Sequence, residues 1–256
     1  MGNSLASVNQ LVGVVLAAGA GTRLRPLTDI RPKALCPVDG VALIDLALER
    51  LVRVTPEVVV NAHHGAGEIA SYVDGRARLS LEEQALGTAG ALGNLKEWID
   101  GRDVVVHNVD SWHDADLDAF VQTWDRSRAR LLTVERGSPS DFGTRQYAGV
   151  ALLRWRDIVP LAAERSGLYE VDWRHRRPGV DIELVDHAGR FFDCGTPGRY
   201  LAANLAASGG ASVVGTGARV EGRISRSVIW PGARVWRAEA LHGAIRATDQ
   251  VTVLVR

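Results

Sequence analysis

The sequence predicts an α/β fold with a Rossmann-like, mostly parallel sheet and helices on both of its faces. Two observations lead to this prediction. Strand and helix patterns alternate from residue 11 to about residue 135, and the strand patterns contain continuous apolar runs such as VVVN and VVVH. Continuous runs are typical of strands buried on both faces, and alternation with helices is typical of parallel strands joined by right-handed crossovers.

The elements follow in chain order. The predicted strands of the alternating part are LVGVVLAA, PEVVVNA, ARLSLEE, DVVVHNVD and RARLLTVE. The helices predicted between them are VALIDLALERLV, GAGEIASYV, GTAGALGNLKEWI and DLDAFVQTWDRS. From 147 to 208 the pattern becomes α+β, with strands QYAGVALLRW and VDIELVDH and helices IVPLAAERS and PGRYLAANLAAS. Ligands of parallel sheets bind beyond the carboxyl ends of the strands, so we expect residues 18–33, 61–64, 82–88 and 107–112 at one edge.

The last part of the chain has a different pattern. Ser208-Gly209-Gly210 marks a predicted boundary between a catalytic domain, 1–208, and a C-terminal domain, 211–256. Aliphatic residues then recur at intervals of six, at Val214 and Val220, at Ile229, Val235 and Leu241, and at Ile245 and Val251. A six-residue period with small turn residues predicts a short parallel β-helix of hexapeptide repeats, and a small β-meander is the alternative.

Composition excludes several classes of function. The 256 residues carry 30 basic and 30 acidic side chains, so the strongly basic face typical of nucleic-acid binding is not expected. The first apolar run is too short to span a membrane, and the ten residues before it lack a positively charged region. Cys36 and Cys194 lie too far apart in sequence to indicate a disulfide framework or a zinc site. We therefore expect a cytoplasmic protein that binds neither nucleic acid nor membrane.

Residues 13–38 read GVVLAAGAGTRLRPLTDIRPKALCPV, an apolar strand that runs into a glycine-rich loop with fixed cations. Small residues allow backbone N–H groups to approach phosphates, and cations offset the phosphate charge, so the loop suits a triphosphate. A dinucleotide-binding turn is the alternative. That turn needs a third glycine, where Leu24 stands, and an acidic residue after the next strand, where Asn61 stands. Lys33 is one of only two lysines among the 30 basic residues, which indicates a need for a compact ammonium group there.

The loop follows the pattern L-A-x-G-x-G-T-R-L-x-P-L-T and then P-K-x-L-x-P-V. In this it resembles the sugar-1-phosphate nucleotidyltransferases (NDP-sugar pyrophosphorylases), and mannose-1-phosphate guanylyltransferase-like members in particular. The resemblance covers roughly residues 11–208. It implies that a nucleoside triphosphate and a sugar 1-phosphate react by Mg²⁺-assisted in-line attack to give an NDP-sugar and pyrophosphate. It also implies a left-handed β-helix for the tail, with contacts between copies of the chain.

The resemblance assigns the chemistry to four residues. Arg23 of G-T-R and Lys33 of P-K-x-L-x-P-V match the catalytic cations, with solvated loop cations as the alternative. Asp110, which ends VVVHNVD, and Asp193, in FFDCGTPGRYLAAN, match the Mg²⁺ ligands, with caps of a turn and a helix as the alternative. Arg25 has no assigned role. The nucleotide-binding residues that the resemblance implies are Leu16, Ala17, Ala18, Gly19, Gly21, Thr22, Glu82, Gly87 and Thr88.

Base and sugar recognition are expected from two other segments. In LEEQALGTAGAL, Glu82 matches a family glutamate, and a carboxylate acceptor suits the N1–H and N2–H donors of guanine. GTP is the expected donor because the members of the family that transfer GMP combine this loop with a β-helix tail. Gln84 would instead pair with uracil or thymine. The sugar-phosphate-binding residues that the resemblance implies are Asn108, Gly149 and Glu170. The usual E-K-P segment is missing and Val171 stands in place of a lysine, which leaves Arg145 as a candidate replacement cation.

Two further functions are alternatives. One is a UTP- or dTTP-using enzyme similar to N-acetylmuramate 1-phosphate uridylyltransferase. The other is a non-catalytic regulatory paralogue that binds nucleotides, although the presence of all four matched residues argues against it. The pair His63-His64 and the set His107, Asp110 and His113 suggest a zinc site, but a run from a strand into a loop fixes no ligand geometry.

Overall fold

A computed structural model of the protein describes residues 11–255, without the side chains of residues 138 and 139. The chain divides into two compact units. The first unit comprises the residues up to Gly19, Ala47–Val109 and His113–Arg190. The second comprises Ala20–Leu46, Asp110–Trp112 and the residues from Phe191 onward. The domain boundary that the sequence suggests at residues 208–211 stays a prediction.

The strands, in chain order, are β1 Leu11–Leu16, β2 Pro37–Val38, β3 Val41–Ala42, β4 Val58–Ala62, β5 Arg78–Leu81, β6 Asp103–Asn108, β7 Ser111–His113, β8 Ala129–Ser140, β9 Gly143–Leu153, β10 Ile182–Asp186, β11 Phe191–Asp193, β12 Val213–Val214, β13 Arg219–Val220, β14 Arg223–Ser225, β15 Val228–Ile229, β16 Arg234–Val235, β17 Ala240–His242, β18 Ala244–Arg246 and β19 Thr252–Leu254.

The α-helices are α1 Leu43–Val54, α2 Ala66–Val73, α3 Gly87–Asn94, α4 Lys96–Ile99, α5 Leu117–Gln122, α6 Trp155–Ile158, α7 Leu168–Val171 and α8 Pro197–Ala207. Short 3₁₀ turns cover Thr22–Leu24, Leu27–Asp29, Lys33–Leu35 and Trp173–His175. Within residues 11–255, no helix is long and apolar enough to cross a lipid bilayer.

The first unit is built on a seven-stranded sheet with the strand order β10-β8-β9-β6-β1-β4-β5. Neighbouring strands are parallel, except that β9 runs antiparallel to both β6 and β8. The apolar runs of β4 and β6 are buried on both faces, as their continuous patterns predict. The mostly parallel α/β sheet is therefore confirmed.

The helix predicted for residues 158–166 is wrong. α6 ends at Ile158, and the segment after it forms hydrogen bonds at the start of α3 instead of continuing as a helix. The Ser166 carbonyl accepts the Ala89 N–H at 3.0 Å, and the Ser166 N–H donates to the Leu86 carbonyl at 2.9 Å. Because these hydrogen bonds go to α3, the segment satisfies its backbone groups without forming a helix.

The second unit contains the tail, whose short strands pair in parallel, except that β19 runs antiparallel to β18. β12, β15 and β18 form one parallel set, while β13 pairs with β16 and β14 with β17. Parallel pairing rules out the β-meander, because the strands of a meander are antiparallel. The pattern is compatible with the predicted β-helix. Ile229, Val235 and Leu241 form a small core as their spacing predicts, whereas Val214 and Val220 are 50% and 36% exposed.

Candidate active site

Lys33 and Asp110, which lie far apart in sequence, meet in the second unit. Lys33 begins the 3₁₀ turn after Pro32, and Asp110 follows β6. The Lys33 Nζ donates to Asp110 Oδ2 in a close ion pair. The two side chains are 12% and 21% exposed, so the pair is screened from bulk water but still accessible.

Asp193 is the second acidic centre of this unit. Its Oδ2 lies 3.9 Å from Arg23 Nη2 and 3.7 Å from Arg199 Nη1, while its Oδ1 accepts the Gly195 N–H at 2.9 Å. α8 is capped by Thr196, so the interpretation of Asp193 as the helix cap is wrong. Sequence reasoning missed Arg199, although it stands inside the FFDCGTPGRYLAAN motif and in the first turn of α8.

The backbone holds the two acids near each other. β7, which starts directly after Asp110, pairs with β11, which ends at Asp193. The Cys194 N–H also donates to the Asp110 carbonyl at 2.8 Å. Two carboxylates are the protein share that Mg²⁺ usually takes, with water and substrate phosphates as the other ligands, so the donor set fits Mg²⁺. Among the described residues, no group of three or more His, Cys, Asp and Glu side chains is placed to hold a metal on its own.

The glycine-rich loop is folded tightly around Gly21. This residue has a φ of 63°, in the left-handed region. A Cβ there would lie 2.8 Å from Thr28 Cγ2 and 3.2 Å from Lys33 Cβ. The Thr28 hydroxyl donates to the Gly21 carbonyl at 3.0 Å. Only glycine satisfies both the conformation and the space, which explains its place beside Thr22 and Arg23.

In the first unit, a buried polar chain joins the end of β1 to the loop before α3. The Asn61 side-chain oxygen accepts the Ala17 N–H at 2.6 Å, and its amide nitrogen donates to Glu82 Oε1 at 2.7 Å. Glu82 Oε2 accepts the Leu86 N–H at 3.0 Å. Glu82 is only 7% exposed, so both of its oxygens serve the protein itself. Sequence reasoning missed this role of Asn61; its signal was a polar residue closing the apolar run VVVN.

The other predicted nucleotide-binding residues are distributed over both units. Gly87 has a φ of 73° and begins α3, where a Cβ would lie 2.5 Å from the Ser166 carbonyl oxygen. The Thr88 hydroxyl accepts the Leu168 N–H at 2.8 Å. Leu16, Ala17, Ala18 and Gly19 lie in the first unit, and Gly21 and Thr22 lie in the second.

The residues expected at the sugar phosphate differ in exposure. Asn108 ends β6 and is half-buried, Gly149 is buried in β9, and Glu170 is exposed on α7. Arg145 Nε donates to both carboxylate oxygens of Asp186 at 2.8 Å. This hydrogen bond raises the pKa of Arg145 and occupies it with a partner inside the protein.

The histidines of the first unit form a buried stack. His107 and His113 are 5.3 Å apart at their ring centroids, and Arg50 Nη1 lies 2.9 Å from His113 Nδ1. Burial, followed by the charges of His107 and Arg50, lowers the pKa of His113 well below its usual value. His63 Nδ1 lies 2.9 Å from the Glu82 carbonyl oxygen. These rings are engaged with protein groups and do not converge on a metal position.

The two cysteines are free and buried. Burial raises the pKa of Cys36 to about 12 and that of Cys194 well above its usual value. Thiols with raised pKa values are poor nucleophiles. Neither thiol is therefore a candidate nucleophile.

Comparison with known proteins shows the family of the chain. The family model of nucleotidyl transferases matches residues 12–148, more than half of the chain. The chain belongs to the nucleotidyl transferase family. It is 34% identical over 170 residues to the N-acetylmuramate alpha-1-phosphate uridylyltransferase of Caulobacter vibrioides, a match that covers 59% of this chain and 70% of that protein.

A second relative is the mannose-1-phosphate guanylyltransferase of Mycobacterium tuberculosis, 32% identical over 146 residues. That match covers 54% of this chain and 41% of the relative, so the chain spans less than half of that protein. Among solved structures, a protein described as a mannose-1-phosphate geranyltransferase from Thermus thermophilus superposes with a TM-score of 0.71 at 16% identity. The superposition covers 96% of this chain and 95% of that one, and it supports the fold alone.

Proposed function

We propose that the protein transfers a nucleotidyl group from a nucleoside triphosphate to a sugar or sugar-like 1-phosphate, forming an NDP-sugar and pyrophosphate. The observation that carries this proposal is the meeting of Lys33–Asp110 and Arg23–Asp193 in one unit. Cations and carboxylates placed together are what a reaction between two polyanions needs. Family membership and the names of the relatives support the same reaction class.

In the proposed reaction an oxygen of the sugar phosphate attacks the α-phosphorus, and the bond from that phosphorus to the leaving pyrophosphate breaks. The nucleophile is already anionic, so no proton has to be removed by the protein. Catalysis then consists of alignment and charge stabilisation. The compact ammonium of Lys33 offsets charge at the reacting phosphates. Arg23 is 69% exposed in its side chain and is free to reach the pyrophosphate.

Asp110 and Asp193 are the residues that would hold Mg²⁺. When bound, the ion supplies Lewis-acid stabilisation of the phosphate oxygens. Each carboxylate also has a cation beside it, Lys33 for Asp110 and Arg23 with Arg199 for Asp193.

For the nucleotide donor we propose UTP. Recognition of guanine by Glu82 would need a free carboxylate, but Asn61 and Leu86 occupy both of its oxygens. Gln84, two residues on, is exposed and offers both an amide donor and an amide acceptor, which suit the N3–H and a carbonyl oxygen of uracil. The first relative named above is a uridylyltransferase, which supports the same donor. The guanylyltransferase relative keeps GTP as the second candidate.

For the acceptor we propose a sugar 1-phosphate of the kind named in the relatives, N-acetylmuramate 1-phosphate first and mannose 1-phosphate second. The sugar-phosphate roles of Asn108, Gly149 and Glu170 belong to this proposal. The left-handed coil of the tail, contacts between copies through it and a cytoplasmic location stay predictions.

The test is a matrix of triphosphates (UTP, GTP, dTTP, ATP and CTP) against sugar 1-phosphates, with Mg²⁺ and a pyrophosphate assay. We expect release with UTP and one of the proposed acceptors. No release in any combination would instead favour the regulatory nucleotide-binding paralogue. Arg23→Met should lower turnover. Arg25→Met is its matched control, because Arg25 pairs with Asp29 at 3.1 Å and not with Asp193.

A further inference from the structure

Trp230, a residue of the tail, is completely buried in the second unit. It directly follows β15, and its side chain has an exposure of 0%. Its backbone N–H donates to the Arg246 carbonyl at 2.8 Å, which fixes it to the next strand of its set. Its indole therefore has a defined orientation and a set of defined neighbours.

One of these neighbours leads to the segment that carries Lys33. The Trp230 Nε1–H donates to the Tyr200 hydroxyl at 2.9 Å, and the two rings meet edge to face with centroids 6.4 Å apart. The Tyr200 hydroxyl in turn donates to the Pro37 carbonyl in a close hydrogen bond. Tyr200 is also completely buried. The indole is thus linked through Tyr200 to Pro37, the C-terminal end of residues 31–37, which we call the Lys33 segment.

The other neighbour is Arg31, at the N-terminal end of the Lys33 segment. The Arg31 guanidinium carbon lies 4.5 Å from the centroid of the Trp230 ring, within the range of a cation–π contact. Arg31 precedes Lys33 by only two residues. One tail side chain therefore contacts one end of the short stretch from residue 31 to residue 37 directly, and the other end through Tyr200.

α8 provides a second hydrogen-bonded connection to this part of the chain. Asn204, one turn after Tyr200, accepts the Asp39 N–H at 3.0 Å and donates to the Tyr200 carbonyl at 3.0 Å. Asn204 has an exposure of 0%. α8 therefore also holds the backbone at Asp39, two residues beyond the stretch that Trp230 and Tyr200 contact.

We propose that Trp230 is a positioning residue for nucleotidyl transfer: through Arg31 and Tyr200 it holds Lys33 in place at the reacting phosphates. The proposal rests on the proposed function and extends it. It gives the tail a part in the chemistry of its own chain. Lys33 needs such support because a long, flexible side chain must stay aligned while charge develops on the phosphates.

The experiment compares Trp230→Phe, Trp230→Leu and Arg31→Met in the full chain. We expect kcat to fall about tenfold in Trp230→Leu, and less in Trp230→Phe, with both Michaelis constants near wild type, because misplaced catalytic groups lower turnover more than binding. The combination of Arg31→Met with Trp230→Phe should cost no more than the stronger single change, because both act through one contact.

The tail offers a matched control in Trp236, which is 44% exposed and has the Arg234 guanidinium 3.8 Å above its ring. Trp236→Leu and Arg234→Met remove the same kind of contact away from the Lys33 segment, so kcat should stay at the wild-type value. A kcat of Trp230→Leu within about twofold of wild type, or an equal loss in the Trp236 control, overturns the proposal. If Trp230→Leu does not fold, Trp230→Phe and Arg31→Met decide by the same criterion.

Amide hydrogen exchange provides a readout that does not depend on activity. The Leu35 and Cys36 amides, which close the turn at Lys33, should exchange about tenfold faster in Trp230→Phe and at the wild-type rate in the Trp236 control. If the wild-type chain turns over no substrate pair, the proposed function fails and exchange alone decides. Equal exchange in wild type and Trp230→Phe then overturns the contact with the Lys33 segment.

Discussion

Replacing Asn61 by alanine tests the polar chain between β1 and the loop before α3. Asn61 is 3% exposed and joins two buried groups, the Ala17 N–H and one oxygen of the Glu82 carboxylate. Asn61→Ala removes both hydrogen bonds. The Ala17 donor and the Glu82 acceptor then stay buried without a partner.

The size of the effect follows from these two groups. A buried neutral group left without a hydrogen bond costs about 1–3 kcal/mol, and a charged one costs more. We therefore expect Asn61→Ala to lower the free energy of unfolding by about 4 kcal/mol, a large part of the stability of a typical domain. Urea denaturation followed by circular dichroism measures this difference.

Two further variants make the test specific. Asn94→Ala, at the exposed end of α3, should change stability by less than about 0.5 kcal/mol. Asn61→Asp keeps an acceptor for Ala17 but places a second carboxylate against Glu82, which raises the pKa of the pair. Its stability should therefore be lowest near neutral pH and should recover as the pH falls and one acid takes up a proton. A loss below about 1 kcal/mol in Asn61→Ala would refute the reasoning.

Three other predictions concern packing, pH and metal. Gly93→Ala places a Cβ 2.5 Å from the Ala162 carbonyl carbon and should lower the free energy of unfolding by about 2 kcal/mol or more in urea denaturation. The control, Gly67→Ala in α2, meets open space and should be neutral or stabilising. Similar values for the two variants would contradict this prediction. The lowered pKa of His113 means that the unfolded chain binds a proton near pH 6.5 and the folded chain does not. Stability should be complete above that pH and fall below it by about 1.4 kcal/mol per pH unit, and His113→Gln should flatten the slope in thermal melts from pH 7.5 to about pH 5. EDTA should stop pyrophosphate release and excess Mg²⁺ should restore it, while turnover unchanged by EDTA would rule out a role for the metal.

The central sheet could be predicted from sequence because its signal is local. Apolar runs such as Val104–Val106 leave few structures other than a strand covered on both faces. The helix expected at 158–166 failed for the opposite reason. Its backbone partners, Leu86 and Ala89, lie more than 70 residues earlier, and no property of the segment itself indicates them.

The candidate site likewise contains residues that the sequence could indicate and residues whose surroundings it could not. Arg23, Lys33, Asp110 and Asp193 could be chosen as candidates because each stands in a motif whose residue types match phosphate and metal chemistry. The environment of Glu82 could not be found in this way. A carboxylate in a loop suits a nucleobase equally well, and only its contact with Asn61, 21 residues away in sequence, shows that it serves the protein.

The contacts of Arg199 and Trp230 were also beyond sequence reasoning. Arg199 reaches Asp193 because α8 begins at Pro197 and turns that side chain toward the strand end. Trp230 lies far along the chain from Arg31, and a spacing pattern in the tail predicts burial but not which segment lies beside the buried ring.

The proposed function depends on the acids and cations of the second unit. Its most direct test is product formation, followed by mass spectrometry, in wild type and in Asp110→Asn with UTP, the sugar 1-phosphates and Mg²⁺. Asparagine keeps the shape of the side chain but loses the charge that pairs with Lys33. We expect an NDP-sugar with wild type and a rate lower by about 100-fold or more in the variant, with its melting temperature retained. A folded Asp110→Asn protein that makes the NDP-sugar at a near-normal rate would contradict the claim.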